Sequence, residues 1–317
     1  MEWQIPPESL ARAMSAAGLG LWRKVSGETL GMACEAMPSW RRLKFGLDRA
    51  RSAVVAALPY GEGLWPEPAW AQSWAGPRAA LARFARANWY RELALRLKAA
   101  SQTLRAEAAG REPAAAARHW RFLVNSGIPE KAIARLSGLG KLGRHSLLMV
   151  EDAGPGCVLG VLLLPYPIAG IDRAATAPGE PGPGPKLGED CGSCRACIEA
   201  CPTGALAWPG SYDRERCLQH WATVEGELPP RIHAAWGDRL YGCDTCLEAC
   251  PRFRPETTAA ARTGLVGARL PTSWFEAASD AEIRERLHGS ALGQLWIPAG
   301  ALRRNARRAA AFIDGKV

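Results

Sequence analysis

One run of cysteines constrains this chain more than any other feature. Cys191, Cys194, Cys197 and Cys201-Pro202 are spaced C-x2-C-x2-C-x3-C-P. This is the spacing of bacterial ferredoxins, in which the first three thiolates hold one 4Fe–4S cluster and the fourth binds a second cluster. The run therefore predicts further cysteine ligands elsewhere in the chain.

Four more cysteines supply those ligands. Cys243, Cys246 and Cys250 form a second run, C-x2-C-x3-C-P, which is one thiolate short, and Cys217 makes up the number. Because ligands cross between the two clusters in such modules, the eight cysteines divide into two sets. The first set is Cys191, Cys194, Cys197 and Cys250, and the second is Cys201, Cys217, Cys243 and Cys246. Two clusters of this kind pass single electrons.

Zinc and disulfides explain the pattern less well. A zinc site takes four ligands, usually from two paired C-x2-C knuckles, and it does not require three cysteines at successive x2 spacings. Disulfides would require export, and residues 1–4 show no basic region followed by an apolar run, so we expect no signal peptide. The two remaining cysteines, Cys34 and Cys157, are predicted to be small buried side chains.

The length and net charge of the chain limit the possible functions further. The chain has 317 residues, more than a ferredoxin needs, and its 48% hydrophobic content supports a sizeable core. No run of 18 apolar residues occurs, so we expect no membrane span and a cytoplasmic protein. The net charge of +9 favours an anionic partner, such as nucleic acid, an acidic cofactor or an acidic redox protein. Basic residues cluster at Arg41, Arg42, Lys44, Arg49 and Arg51, and again at Arg303, Arg304, Arg307 and Arg308.

Hydrophobic patterning predicts the elements around the cysteines. Strands are expected at 53–59, 120–124, 147–150 and 157–164, with a hairpin-like turn at 152–156 joining the last two. Helices are expected at 77–109, where one or two long helices fit the Ala, Arg and Leu content, at 130–136 and from 273 onward.

Composition divides the chain into four segments. These are an α/β domain at 1–173, a Pro/Gly-rich linker at 174–186, a double-cluster domain at 187–258 and a short helical segment at 259–317. The predicted fold class is therefore α+β, with a bacterial ferredoxin-like module that carries two 4Fe–4S clusters.

A glycine motif stands before the cysteines. Gly138, Gly140 and Gly143 match G-x-G-x-x-G, but a helix precedes them and a strand follows. A dinucleotide site needs the opposite order, because the helix N-terminus must meet the pyrophosphate. The motif therefore predicts close backbone approach, to a large flat ligand for example, rather than a nicotinamide site. His145 follows it and is more typical of a hydrogen-bonded structural residue.

The chain resembles the epoxyqueuosine reductases, cobalamin-dependent iron–sulfur enzymes that complete queuosine in tRNA. The likeness covers most of residues 50–310 and is most specific at 187–252. It is carried by Cys191-Gly192-Ser193-Cys194, residues 200–206, Arg216-Cys217, residues 237–246, the loop of Gly138 to His145, and Leu302-Arg303-Arg304-Asn305-Ala306.

The resemblance implies a cofactor and partners. Cobalamin would be held by an N-terminal nitroreductase-like α/β domain against the cluster module, and electrons would pass through the clusters to the cobalt. The implied cofactor-binding residues are Gly138, Gly140, Gly143, His145, Cys243 and Asp244. A low-potential donor of the flavodoxin or ferredoxin type and tRNA are the implied partners, and we expect a monomer.

The chain departs from the family at one position of chemical importance. The family has Val-Asp-Thr or Val-Asp-Ser, whose Asp is the proton donor for C–O cleavage, whereas this chain has Val124-Asn125-Ser126. An amide does not donate a proton at neutral pH, and Glu130 is the nearest carboxylic acid that could replace it. The departure suggests a side branch of the family that acts on a different substrate.

The sequence is therefore compatible with three functions. The first is reduction of epoxyqueuosine in tRNA, which would contribute to queuosine biosynthesis. The second is a corrinoid iron–sulfur reductase that acts on a small molecule. The third is a non-catalytic electron-transfer protein of the ferredoxin type. Bound cobalamin separates the third from the others, and strongly salt-dependent RNA binding, to which the basic tail could contribute, separates the first from the second.

Overall fold

The computed structural model describes residues 3–63, 65–109, 119–171 and 187–316. In chain order the α-helices are α1 (Pro7–Ala16), α2 (Gly27–Ala33), α3 (Ser39–Phe45), α4 (Ala69–Gln72), α5 (Trp89–Ala108), α6 (Glu130–Leu136), α7 (Ala196–Ala200), α8 (Leu218–Trp221), α9 (Pro230–Ala234), α10 (Thr245–Glu248), α11 (Thr272–Ala277), α12 (Asp280–Arg286) and α13 (Ala299–Ile313). The strands are β1 (Leu21–Ser26), β2 (Ser52–Pro59), β3 (Arg78–Leu81), β4 (Arg121–Val124), β5 (Gly140–Leu142), β6 (Leu148–Val150), β7 (Cys157–Leu164), β8 (Leu206–Ala207), β9 (Ser211–Tyr212), β10 (Arg239–Tyr241) and β11 (Arg269–Pro271).

The described chain forms two compact units that interleave along the sequence. The first unit draws on residues 1–59, 90–142 and 148–190, and the second on 60–89, 143–147 and 191–317. The mixed helix and strand content confirms the α+β class. The four contiguous domain boundaries stay predictions, although residues 60–89 pack with the second unit rather than the first. The linker predicted at 174–186 lies outside the described residues.

The first unit is built on an antiparallel sheet with the strand order β1-β2-β7-β4. Strand β2 is buried along nearly its whole length because helices cover both faces of the sheet. On one face, Val55 and Val161 pack with Ile133 of α6. On the other face, a Cβ at Gly160 would lie 2.8 Å from Leu97 of α5, so the glycine lets that helix approach the sheet closely.

Strands β5 and β6 form a separate hairpin, with Gly140 opposite Val150. The prediction that a turn at 152–156 joins the strands at 147–150 and 157–164 as a hairpin was wrong. That turn closes on β6 itself, where Gly154 N–H donates to the Val150 carbonyl at 2.8 Å. Strand β7 instead pairs with β2 over eight residues and with β4, which satisfies both of its edges.

The second unit contains a three-stranded sheet in the order β10-β3-β11. Strand β3 corrects the prediction of helices throughout 77–109, because α5 begins only at Trp89. The Ala- and Arg-rich composition favours helix, but pairing of β3 with both neighbours overrides that weak preference. The core beside this sheet contains Trp236, Phe275 and Leu302.

The cysteine-rich part of the second unit has little regular structure. Its helices α7, α8 and α10 have four or five residues each, and β8 and β9 form a two-residue ladder. The helical segment predicted from residue 273 is confirmed as α11, α12 and α13, and Ser279 and Glu282 form a capping box at the start of α12. Within the described ranges, no helix combines the length and apolar character needed to cross a bilayer.

Candidate functional site

The first set of cysteines gathers around α7. Cys191 and Cys194 lie on the loop before the helix, where the Cys194 N–H donates to the Cys191 carbonyl at 2.9 Å. Burial raises the pKa of Cys197, and the charges of Cys250, Cys191 and Cys194 raise it further. The neighbours that influence Cys197 are therefore the other three members of the set that the crossed assignment predicts.

The second set gathers around α10 in the same way. Burial raises the pKa of Cys246, and the largest contributions from other cysteines come from Cys243, Cys217 and Cys201. Burial alone would raise the pKa of Cys201 as well, but hydrogen bonds from Thr203, Ala205 and Leu206 lower it overall.

The second set has donors that suit thiolate sulfur. The Ala205 N–H donates to Cys201 Sγ at 3.3 Å, and Thr245 Oγ1 lies 3.3 Å from Cys243 Sγ. Among the residues that the structure describes, no three His, Cys, Asp or Glu side chains converge on a single metal ion. Each thiolate of a 4Fe–4S cluster binds a different iron, so the four need not converge as zinc ligands must. The donor set therefore fits two iron–sulfur clusters.

The two remaining cysteines lie in the first unit, apart from these sets. Burial raises the pKa of Cys34 to about 11 and the pKa of Cys157 to about 12. Both thiols pack in the apolar core of that unit, Cys34 fully buried and Cys157 at its edge. They are protonated, inert side chains at neutral pH.

Arg144, which the sequence analysis passed over, holds the first ligand loop. Its guanidinium donates to the carbonyls of Gly192 at 2.8 Å, Cys194 at 2.9 Å and Pro209 at 2.8 Å. It also lies 4.2 Å from the centroid of the Trp208 ring. The planar fork of Arg can donate to several carbonyls at once, and this buried cation thus fixes the loop that carries Cys191 and Cys194.

Two residues of the motif at 302–306 hold the backbone beside the second set of cysteines, as Arg144 does beside the first. Asn305 is fully buried and donates to the carbonyls of Ala222 at 3.1 Å and Leu240 at 3.0 Å. Arg304 donates to the carbonyls of Trp221 and Val224 at 2.7 and 2.6 Å. These carbonyls adjoin α8, which follows Cys217, and β10, which precedes Cys243.

The tail arginines are therefore mostly structural. Arg308 donates to the His233 carbonyl at 2.9 Å, and Arg303 pairs with Asp280 at 2.8 Å. Of the four tail arginines only Arg307 is exposed. The tail thus offers few cations to an RNA backbone, contrary to its appearance in the sequence.

The glycine motif is explained by the β5–β6 hairpin. A Cβ at Gly140 would lie 2.4 Å from the Met149 carbonyl oxygen, and one at Gly143 would lie 2.4 Å from the His145 ring. His145 Nδ1 accepts a hydrogen bond from the Leu147 N–H at 3.1 Å. Gly138 has a left-handed φ of 74° just after α6, as a helix end favours. These glycines serve the hairpin and the helix end, and the context is not that of a dinucleotide site.

Asp244 is held next to Cys243 by a buried arginine. The Arg83 N–H donates to Asp244 Oδ2 at 2.7 Å, and the Arg83 guanidinium pairs with Asp244, Glu62 and Glu248. Burial raises the pKa of Asp244, although Arg83 opposes the rise. The carboxyl oxygens of Asp244 can accept hydrogen bonds.

The candidate catalytic turn follows β4 in the first unit. Asn125 is exposed with a left-handed φ of 48°, a conformation that Asn tolerates better than most residues. The next residue, Ser126, donates its N–H to Glu130 Oε1 at 3.2 Å. The Glu130 carboxyl therefore reaches back from the start of α6 to within one residue of Asn125.

Glu130 has the environment of a tuned acid. Burial raises its pKa, and the backbone and side chain of Ser126 oppose the rise. The same carboxyl raises the pKa of Tyr90, for which burial is the larger cause. A half-buried carboxyl with a raised pKa, close to the Tyr90 phenol, is a candidate for acid–base chemistry.

Comparison with known families and proteins agrees with this arrangement. Residues 190–252 match the family described as the 4Fe-4S double cluster binding domain. A curated epoxyqueuosine reductase of Burkholderia pseudomallei is 31% identical over 303 residues, which cover 88% of this chain and 71% of the relative. Relatives of the same name from Staphylococcus aureus and Escherichia coli are 30% and 35% identical. Those alignments cover 67% and 43% of this chain, and 50% and 34% of the relatives.

Solved structures share the fold. A Bacillus subtilis epoxyqueuosine reductase, with its catalytic loop swung out of the active site, gives a TM-score of 0.72 at 22% identity and covers 96% of this chain and 81% of its own. An epoxyqueuosine reductase in complex with an epoxyqueuosine-modified tRNA-Tyr stem loop gives 0.71 at 22% identity and covers 96% and 80%. With the Burkholderia relative aligned over most of both chains, these findings place this chain in the epoxyqueuosine reductase family.

Proposed function

We propose that this protein is an oxidoreductase that reduces epoxyqueuosine to queuosine in tRNA, with cobalamin and two 4Fe–4S clusters as cofactors. The observation that carries the proposal is the Burkholderia epoxyqueuosine reductase, aligned over 88% of this chain. The complex of a structural neighbour with a modified tRNA stem loop supports tRNA as the partner. Asn125 in place of the family's acid would suit a different substrate, but Glu130 lies close enough to replace the missing acid.

The clusters would be held as the cysteine neighbours suggest. Cys191, Cys194, Cys197 and Cys250 would hold one cluster, and Cys201, Cys217, Cys243 and Cys246 the other. Clusters of this type reach the low potentials that a reductase of this kind requires. We propose a flavodoxin or ferredoxin type donor, a monomeric state and a cytoplasmic location.

Cobalamin, when bound, supplies the low-potential cobalt that reduces the substrate. Cys243 and Asp244 fit its periphery, since the buried Asp244 carboxyl can hydrogen-bond to the amide groups of a corrin. The residues Gly138, Gly140, Gly143 and His145 give the site no independent support, because the hairpin accounts for their close approaches. Support for cobalamin therefore comes from family membership and from the Asp244 environment.

Glu130 is the proton donor in this proposal. Cleavage of a C–O bond leaves negative charge on the oxygen, which needs a proton as the bond breaks. Asn125 holds the position of the family's acid but carries an amide. Glu130 reaches within one residue of it, and burial holds the pKa of its carboxyl above the ordinary value. Glu130 would donate the proton, and the Ser126 N–H would orient the carboxyl.

Reduction of modified tRNA tests the proposal. Anaerobically reconstituted protein, with cobalamin and a chemical reductant, should convert epoxyqueuosine to queuosine, as measured by mass spectrometry of digested nucleosides. A small-molecule reductase would bind cobalamin yet leave the tRNA unchanged. An electron-transfer protein would assemble clusters but bind no cobalamin.

A further inference from the structure

Helix α3 is an exposed surface element whose charged residues are all cationic. It reads Ser39-Trp40-Arg41-Arg42-Leu43-Lys44-Phe45, has no acidic residue and buries none of its residues. The side chains of Trp40 and Leu43 are 62% and 65% exposed. A helix in a folded unit normally buries an apolar stripe, whereas α3 has no fully buried residue and packs the half-buried Phe45 against the core, so the exposure of Trp40 and Leu43 requires another explanation.

Two arginines fasten α3 beside the candidate catalytic turn. Arg41 donates to the Gly127 carbonyl at 3.1 Å, two residues after Asn125. Arg121, on the strand that leads into the turn, donates to the Lys44 carbonyl at 2.7 Å. A Cβ at Gly127 would lie 2.7 Å from the Arg41 guanidinium, so the turn and the helix meet as closely as a glycine allows.

From this surface we infer that α3 is an RNA-docking element that places the target nucleotide at the Asn125 turn. The inference rests on the proposed function for the identity of the RNA. Lys44 and Arg42 would contact phosphates, and the exposed ring of Trp40 would stack on an unpaired base of a loop. Arg41 lies 5.9 Å from the Trp40 ring centroid and so adds a cation to the same platform.

The chemistry favours RNA over the other anionic partners. Single-stranded nucleic acid is bound by cationic grooves with aromatic side chains on which bases stack, and α3 combines both within one helix. The tail arginines cannot provide this surface, because Arg304 and Arg308 are engaged with backbone carbonyls. A membrane surface would also attract cations, but α3 has only seven residues, and its large exposed apolar side chains are Trp40 and Leu43, fewer than an interfacial helix presents.

Binding of an unmodified, fluorescein-labelled tRNA anticodon stem loop tests the inference. Fluorescence anisotropy would be measured on the holoprotein over a range of salt concentrations. Trp40→Ala should weaken binding about five- to a hundredfold. Arg42→Ala with Lys44→Ala should lower the slope of log affinity against log salt by about 1 for each cation removed. Trp296→Ala and Arg284→Ala, at exposed positions of the second unit, are the matched controls and should bind as the wild type does.

Each outcome bears on the inference. Wild-type binding that the α3 variants leave unchanged would overturn the role of α3 and leave the proposed function standing. Absence of stem-loop binding by the wild type would overturn both. Loss of binding to anionic phospholipid vesicles in the α3 variants, without any RNA binding, would identify a membrane-facing helix instead. Selective loss of RNA binding in the α3 variants, with both controls unaffected, is the expected result.

Discussion

The Ser126 backbone N–H donates a hydrogen bond to Glu130 Oε1 across 3.2 Å, and this contact brings a carboxylic acid next to Asn125. Glu130→Gln keeps the shape and the hydrogen-bond acceptor but removes the proton. Because a positioned acid contributes about 10²–10⁴-fold, we expect a loss of that size in single-turnover reduction of epoxyqueuosine tRNA. Glu28→Gln, at an acid in the first turn of α2, is the control. A variant that keeps the wild-type rate with full cofactor content would show that the proton comes from elsewhere.

The pH dependence of Glu130 has a definite sign. Burial raises its pKa, so the folded protein holds the proton more tightly than the unfolded chain. Its stabilising contribution is therefore complete below the ordinary carboxyl pKa of about 4.3 and is lost as the pH rises through the raised value. The reaction rate should fall over the same range, because the protonated form is the donor. In Glu130→Gln both dependences should flatten, as measured by pH–rate profiles and urea unfolding.

An acid at position 125 should compensate for the loss of Glu130. Asp tolerates the left-handed φ of 48° that Asn125 adopts, so the exchange should leave the turn intact. In the Glu130→Gln background, Asn125→Asp should raise the rate of reduction at least about tenfold above that of Glu130→Gln alone. Asn125→Gly suits the same backbone and carries no acid, so it should restore nothing. If the Asp variant restores no activity either, the turn does not face the substrate.

The isolated cysteine ligand gives a direct test of the cluster assignment. Two 4Fe–4S clusters require about eight iron atoms per chain, and Cys217 lies outside both C-x2-C runs. Cys217→Ala should lower the iron content toward half and remove one cluster signal from the electron paramagnetic resonance spectrum. Cys157→Ala, which removes a thiol of the first unit, should retain all the iron. Equal iron content in the two variants would contradict the assignment.

Each ligand set has its own arginine that binds the backbone beside it, and the effects of the two arginines should be separable by experiment. Arg144 binds the carbonyls of the Cys191–Cys194 loop, whereas Arg304 binds those beside α8. Arg144→Met should therefore weaken the first cluster and Arg304→Met the second, and the matching Lys variants should be milder. Removal of the Arg144 charge should also make the first cluster harder to reduce, about tenfold in the equilibrium or 59 mV for one electron. Redox titration followed by paramagnetic resonance measures this. Identical effects on both clusters would indicate general destabilisation only.

Local patterns predicted the elements that depend on local chemistry. The apolar run at 53–59 lies within β2, and the amphipathic segment 130–136 matches α6 in full. Both have a strong apolar pattern, which is visible in the sequence without knowledge of their distant partners. The double-cluster domain was likewise visible in the cysteine spacing, and the division of the eight cysteines between the two clusters stays a prediction.

Contacts between residues far apart in the chain determined the features that local sequence patterns did not predict. Strand β3 has four residues in a helix-favouring region, and only its partners β10 and β11, more than 150 residues away, make it a strand. The tail arginines looked like an RNA-binding surface because a sequence shows charge but not acceptors. Their acceptors are backbone carbonyls, as the contacts of Arg304 and Arg308 illustrate. Because every residue has a backbone carbonyl, the sequence does not show which of them will accept a hydrogen bond.

The central claim is tested most directly by the nucleoside composition of tRNA after a single turnover. Protein that contains about eight iron atoms per chain and bound cobalamin would be mixed anaerobically with epoxyqueuosine-modified tRNA and a low-potential reductant. The account predicts that queuosine appears in proportion to the enzyme and that epoxyqueuosine declines equally. Unchanged epoxyqueuosine, with both cofactors shown to be present and the tRNA shown to be bound, would contradict it.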